Sequence, residues 1–121
     1  MIIDMFFNNS RWYLRKLIKQ KKYYEALKYG HEIEKKIEYD PDIAFIIGTV
    51  YFMKGNEKET LSYMNKTLDI GEYDIDALSI KASVYLHQKN KIKANECCEK
   101  ICEIDPKNKI LKQIDDGLKN I

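Results

Sequence analysis

The chain has 121 residues, of which 45% are hydrophobic and 33% charged, with a formal net charge of +2. That size and mixture suit one globular domain and lie far from the composition of disordered chains. A pI near 8.3 falls short of the strongly basic footprint of a dedicated nucleic-acid binder, and no apolar run reaches the roughly 18 residues that cross a bilayer.

The opening segment, Met1-Ile2-Ile3-Asp4-Met5-Phe6-Phe7, is apolar but short, carries an acid and lacks a basic lead, so it makes a poor secretory leader. It has no counterpart elsewhere in the chain. It can extend a first helix, cover a groove or pack against a second copy, and the residues leave all three open. Past it, sliding the sequence against itself by 34 residues superposes small and aromatic positions without gaps. Gly48 falls on Ala82 and Tyr51 on Tyr85; Ala26, Thr60 and Ala94 coincide, as do Leu27 with Leu61, Tyr29 with Tyr63, and Ile33 with Thr67 and Ile101. The units run over about 7–40, 41–74 and 75–108, followed by a tail at 109–121.

Each unit reads as two helices. In the middle one, Asp40 can cap free amides and Pro41 suits a first helical turn. Ile43, Ala44, Ile47, Gly48, Tyr51 and Phe52 follow at helical spacing, and Gly55-Asn56 accepts the positive φ that ends a helix. A second helix carries Leu61, Met64, Thr67 and Leu68 and closes at Gly71. The third unit repeats this from Asp76 to Gln88, turns at Lys89-Asn90, runs from Ala94 to Ile104 and stops at Asp105-Pro106. Small residues at Gly48 and Ala82, and at Ala26, Thr60 and Ala94, let paired helices approach closely, while Tyr51 and Tyr85 fill the space between units. In the tail, Ile110, Leu111, Ile114 and Leu118 share one face of a short helix with a polar opposite side, as a terminal cap requires.

These residues resemble the tetratricopeptide repeat family, whose signature W-x2-L-G-x2-Y, A-x3-F and P recurs every 34 residues. The middle unit supplies Ala44-x2-Ile47-Gly48-x2-Tyr51 and Thr60-x3-Met64. The third supplies Leu78-x2-Lys81-Ala82-x2-Tyr85, Ala94-x3-Cys98 and Pro106. The first keeps Ala26 but places Leu14 at the small position and Gly30 at the aromatic one, and its Asp40-Pro41 arrives three residues late, which predicts a second helix about one turn longer. The resemblance covers about 7–108 and implies a single all-α domain over 1–121: a right-handed superhelical α-solenoid of three helix-turn-helix units with a C-terminal capping helix.

Little chemistry is visible. No phosphate loop, nucleophile elbow or H-E-x-x-H pair occurs, so no catalytic residue, cofactor or metal is expected. Cys97, Cys98 and Cys102 are an odd number on one helical stretch, which fits a reducing cytoplasm better than a disulfide framework. Cys98 and Cys102 are expected to be buried, replacing Met64 and Leu68, and Cys97 to be more exposed.

The resemblance places function in a concave groove lined by the first helices. Carried over residue by residue, unit one contributes Arg11, Arg15, Ile18 and Lys19; unit two Asp42, Phe45, Thr49, Phe52 and Met53; unit three Asp76, Ser79, Ser83, Leu86 and His87. Phe45 and Phe52 are the expected anchors, and Arg11 with Arg15, one turn apart, a carboxylate clamp. Phe52 and Leu86 are equally compatible with core packing, and the arginines with a solvated face. The lysine, asparagine and arginine set that grips chaperone tails in some members is not reproduced: its positions fall on Arg11, Arg15, Ile46, Asp76 and Ile80, of which only Arg11 is a plausible substitute. The expected activity is that of a non-catalytic scaffold for a protein or peptide partner. Self-association through the apolar opening segment is the alternative, and RNA binding a remote third, because the lysines alternate with Glu as in Lys35-Lys36-Ile37-Glu38.

Overall fold

The computed structural model describes residues 2–37, 40–71 and 73–121, with side chains from Ser10 onward. Seven helices and no strand occur among these residues: α1 (Ile2–Lys19), α2 (Tyr23–Lys36), α3 (Pro41–Met53), α4 (Glu57–Ile70), α5 (Asp74–His87), α6 (Lys91–Ile104) and α7 (Ile110–Lys119). They pack as successive hairpins, each second helix against the first helix of the next unit, with α7 on α5 and α6. The result is an all-α solenoid with a capping helix.

The 34-residue register extends to the backbone of every hairpin turn. Lys21, Gly55 and Lys89 all take positive φ, 60°, 76° and 58°. Each turn closes with the same two bonds, a Schellman motif. Lys21, Gly55 and Lys89 donate to Ile18, Phe52 and Leu86, and Lys22, Asn56 and Asn90 donate to Leu17, Tyr51 and Tyr85. The residue after the positive-φ position then caps the next helix. Asn56 accepts from the Glu59 amide at 3.3 Å and Asn90 from the Lys93 amide at 3.1 Å, whereas Lys22 makes no side-chain cap bond. Asp40 caps α3 as its sequence suggests, accepting from the Ile43 amide at 3.2 Å ahead of Pro41.

The longer second helix expected in unit one is not formed. The helices α2, α4 and α6 each have 14 residues and begin 34 apart, at Tyr23, Glu57 and Lys91. At the end of α2 the backbone of Ile37 turns extended, with φ −129° and ψ 105°, while its amide still bonds the Ile33 carbonyl. Its β-branched side chain packs against the core, which stops the helix on schedule. The extra length lies instead at the front: α1 begins at Ile2 and has 18 residues. The apolar opening segment thus extends the first helix; its side chains lie outside the described residues.

Two clusters form the core. One joins Leu14, Leu17, Ala26, Leu27 and Ile33 of unit one to Ile43, Ile46, Ile47 and Val50 of unit two; the other joins Leu78, Ala82, Cys97 and Ile101 to Ile114 of the cap. Unit one departs from the repeat pattern by a compensated exchange. A Cβ on Gly30 would come within 2.9 Å of Ile47 and 3.6 Å of Leu14; one on Gly48 would come within 2.5 Å of Met64 and 2.9 Å of Tyr63. Equivalent positions therefore pair as Leu14 with Gly30, Gly48 with Met64, and Ala82 with Cys98. One large and one small residue, or two of middle size, fill the same space, as close-packed interiors demand. Leu14 and Met64 are both fully buried.

The cysteines reverse the expected order. Cys97 is buried, Cys98 half-buried and Cys102 exposed. Cys97 sits in the cluster with Ile114 of the cap and Cys98 packs against it, while Cys102 is not part of it. Burial pushes the Cys97 thiol above its ordinary value.

Candidate protein-binding groove

The first helices α1, α3 and α5 carry the residues expected to line the groove, and the structure gathers them in two groups. The first lies where unit one meets the start of unit two. Arg11 Nη2 stands 3.1 Å from Asp40 Oδ2 and its Nε 2.7 Å from Asp42 Oδ2. The Tyr73 hydroxyl donates to the other oxygen of Asp42, and the Tyr73 ring stacks on Phe45 with centroids 5.1 Å apart and planes 10° from parallel. The expected two-arginine clamp is therefore not assembled: the Arg11 guanidinium is committed to two carboxylates of this chain, and Arg15 is exposed. Phe45, expected as a free anchor, is half-covered by Tyr73.

The second group is open. Phe52, 39% exposed, and Met53, 50% exposed, end α3 beside a cavity of about 300 Å3 lined by Phe52, Gly55, Glu57, Thr60, Ser83, Val84 and His87. Val84 and Thr60 supply its buried floor. His87 Nδ1 lies 3.3 Å from Glu57 Oε2 at the solvent edge. Phe52, Ser83 and His87 are thus brought together, as the sequence suggests. Leu86 is half-buried and faces the cap: a Cβ on Gly117 would come within 2.8 Å of it. The hydroxyls along the wall are turned inward on the helices. Thr49 donates to the Phe45 carbonyl, Ser79 to Ile75 and Ser83 to Ser79. Their protons are spent, so toward a ligand they present small surfaces and acceptors. Lys19 is exposed at the end of α1.

Two features escaped the sequence reading. Tyr73, which closes over Phe45, repeats Tyr39 at a spacing of 34 residues, and that recurrence was available as a signal. The other is a polar cluster on the side of the second helices, between units one and two. Glu34 Oε1 accepts from the Tyr63 hydroxyl at 2.7 Å and lies 2.5 Å from His31 Nδ1; Lys66 Nζ is 3.7 Å from Oε2. His31 Nε2 is 2.8 Å from the Tyr51 hydroxyl, and the Tyr51 and Tyr63 rings stack at 5.7 Å. Burial pushes the Glu34 carboxyl up, but bonds from His31 and Tyr63 and the charges of His31 and Lys66 outweigh it and leave its pKa lowered. Burial and the bonded carboxylate raise the Tyr63 hydroxyl far above its ordinary value. His31 and Glu34 lie one helical turn apart, but their partners Tyr51, Tyr63 and Lys66 lie 20 to 32 positions away in sequence, and only the stacking of the units makes them a cluster. Among the described residues, no group of three His, Cys, Asp or Glu side chains is placed to hold a metal ion, and no helix is long and apolar enough to cross a membrane.

Hairpins of this length, register and turn geometry define a tetratricopeptide-type repeat domain. Comparison with solved structures agrees. The first such domain of Spaghetti (RPAP3), solved bound to the HSP90 peptide SRMEEVD, superposes with a TM-score of 0.78 at 20% identity, covering 91% of this chain and 90% of that one. The first such domain of human RPAP3 gives 0.77 at 20% identity, covering 92% and 91%. At that identity the likeness establishes the fold. No curated protein matches the sequence. A family model does, over residues 7–111, and the chain belongs to that family, the ChAPs or Chs5p-Arf1p-binding proteins.

Proposed function

We propose that the chain is a non-catalytic protein-interaction scaffold, working in the cytoplasm, that holds a peptide or protein segment of its partner in the groove. The observation that carries this reading is the pair Phe52 and Met53, large, apolar and open beside the cavity of about 300 Å3 between α3 and α5. An aromatic and an adaptable Met next to a partly apolar pocket are what a binding hot spot is made of. The family supports it: its members are named for binding Chs5p and Arf1p, and the Spaghetti domain holds a peptide on the same fold. The free thiols Cys97, Cys98 and Cys102 suit a reducing compartment.

The chemistry favours an apolar anchor over a terminal carboxylate. The clamp positions carry Ile46, Asp76 and Ile80, and Arg11 is bound to Asp40 and Asp42. Partner segments captured by the full chain should therefore bind Phe52→Ala with affinity reduced by ~2 kcal/mol and Met53→Ala less severely, measured by calorimetric titration. Undiminished affinity for both variants contradicts the groove reading.

A further inference from the structure

A second surface, on the opposite side of unit one from unit two, has the construction of a docking face. In unit two this face is covered by the preceding hairpin and is apolar: Ile46, Ile47 and Val50 are 7%, 1% and 1% exposed; in unit three the covered equivalents are Ile80 and Lys81, both half-buried, and Val84, 2% exposed. The equivalents in unit one are Trp12, 64% exposed, Tyr13, 40% exposed, and Lys16, also exposed. Together with Lys22 and Glu25 of α2 they surround a cavity of about 320 Å3 with Leu17, itself buried, among its lining residues. The other end of the solenoid is different, since the outward residues Lys112, Asp115, Asp116 and Lys119 of α7 are charged.

The face itself carries Lys16 and Lys22 against Glu25, and the segment that bears it is basic. Residues 10–28 hold seven Lys and Arg against the single acid Glu25, a net +6, which leaves −4 on the rest of a chain whose total is +2. Arg11 is neutralised by Asp40 and Asp42, but the lysines of the face are exposed, and Lys16 lies over the Trp12 ring at 5.2 Å. Lys16 on the Trp12 ring, beside a cavity lined by Trp12, Tyr13 and Leu17 together with Gln20, Lys22 and Glu25, offers two complementary demands: an apolar side chain against the rings and Leu17, and carboxylates to meet the lysines.

We propose that this face docks an acidic amphipathic helix of a partner protein, at a site separate from the groove. A helix is the occupant because helices cover the same positions in this fold, α2 lying on α3 and α4 on α5, with anchors at i, i+3, i+4 and i+7. A second copy fits poorly. Two such faces would oppose lysine to lysine, and the outer side of α7 offers mixed charge with no apolar stripe.

Trp12 is the sole tryptophan, so its emission reports this face directly. The probe is a synthetic peptide of about four helical turns with leucines at i, i+3, i+4 and i+7 and glutamates flanking them, titrated into the full chain. The expected result is a saturable blue shift, an affinity lowered at least about tenfold in the double variant Lys16→Glu with Lys22→Glu, and unchanged affinity in Phe52→Ala. Both lysines are exposed, and circular dichroism of the variant is the control that its helices are kept. Four results overturn the proposal: no saturable shift; equal binding of the peptide with lysines in place of its glutamates; loss of binding in Phe52→Ala, which places the peptide in the groove; or a shift produced by raising the protein concentration alone, or by vesicles of phosphatidylserine in phosphatidylcholine, but not by the peptide.

Discussion

The two junctions between units share a backbone and differ in chemistry. Between units one and two, Glu34 collects His31, Tyr63 and Lys66, and His31 reaches on to Tyr51. Between units two and three the equivalent positions carry Leu68 for Glu34, Asn65 for His31, Cys97 for Tyr63 and Tyr85 for Tyr51. Carbon and sulfur replace a carboxylate and a phenol, and the helices keep their lengths and register. What the stack requires is filled space and satisfied polar groups. The polar solution adds a dependence on protonation that the apolar one lacks, because a half-satisfied buried network is worse than none.

The comparison breaks hardest in the core. Exchanging Gly48→Leu with Met64→Gly gives unit two the Leu14 and Gly30 pair of unit one, with Lys81 standing where Ile47 meets Gly30. Alone, Met64→Gly should cost about 2–5 kcal/mol by leaving a cavity, and Gly48→Leu about 1–3 kcal/mol by overpacking. Denaturant unfolding should show the double variant less destabilised than the sum, with a coupling of ~0.5–3 kcal/mol; strict additivity contradicts the compensated exchange. Next comes the polar junction. Glu34→Leu copies the other junction at one position only, removing the acceptor of the Tyr63 hydroxyl and the carboxylate beside His31 and Lys66 while His31 keeps Tyr51 and Tyr63, and should cost about 1 kcal/mol.

The same carboxylate sets a pH window. Its folded pKa lies below the ordinary 4.5, so its contribution is fully present above that value and is lost as pH falls through the lowered folded pKa. On acidification below about pH 4.5, wild type should lose stability faster than Glu34→Leu, measured as denaturation midpoints; parallel loss contradicts the assignment. The smallest effects lie in the turns. Lys21→Gly and Lys89→Gly, matching Gly55, should each raise stability by ~0.5–1 kcal/mol through relief of positive φ. Lys22→Asn, matching Asn56 and Asn90, should add roughly 1 kcal/mol by supplying the missing cap.

The fold was legible because a 34-residue period, Asp40-Pro41 and Gly55-Asn56 are local signals. Unit one misled for a physical reason. A motif compares one position at a time, and the quantity preserved at Leu14 and Gly30 is a sum of volumes across two helices. The late Pro41 suggested a longer α2, but the helix ends at Lys36, where Ile37 turns extended and packs against the core. Of the groove, Phe52, Ser83 and His87 were legible through their register. The capture of Arg11 by Asp40 and Asp42 was not, because attraction across 29 and 31 residues depends on the stacking of units. The same holds for the cover that Tyr73 gives Phe45.

The central claim, that the open end of the groove receives the partner, is tested most directly by amide chemical-shift mapping of the full chain against a captured partner segment. The account predicts that the largest changes fall at the end of α3 and along α5, around Phe52, Met53, Ser83 and His87. Changes confined to the outer residues of α4 and α6, such as Lys58, Asn65 and Ile92, with α3 and α5 unmoved, would contradict it.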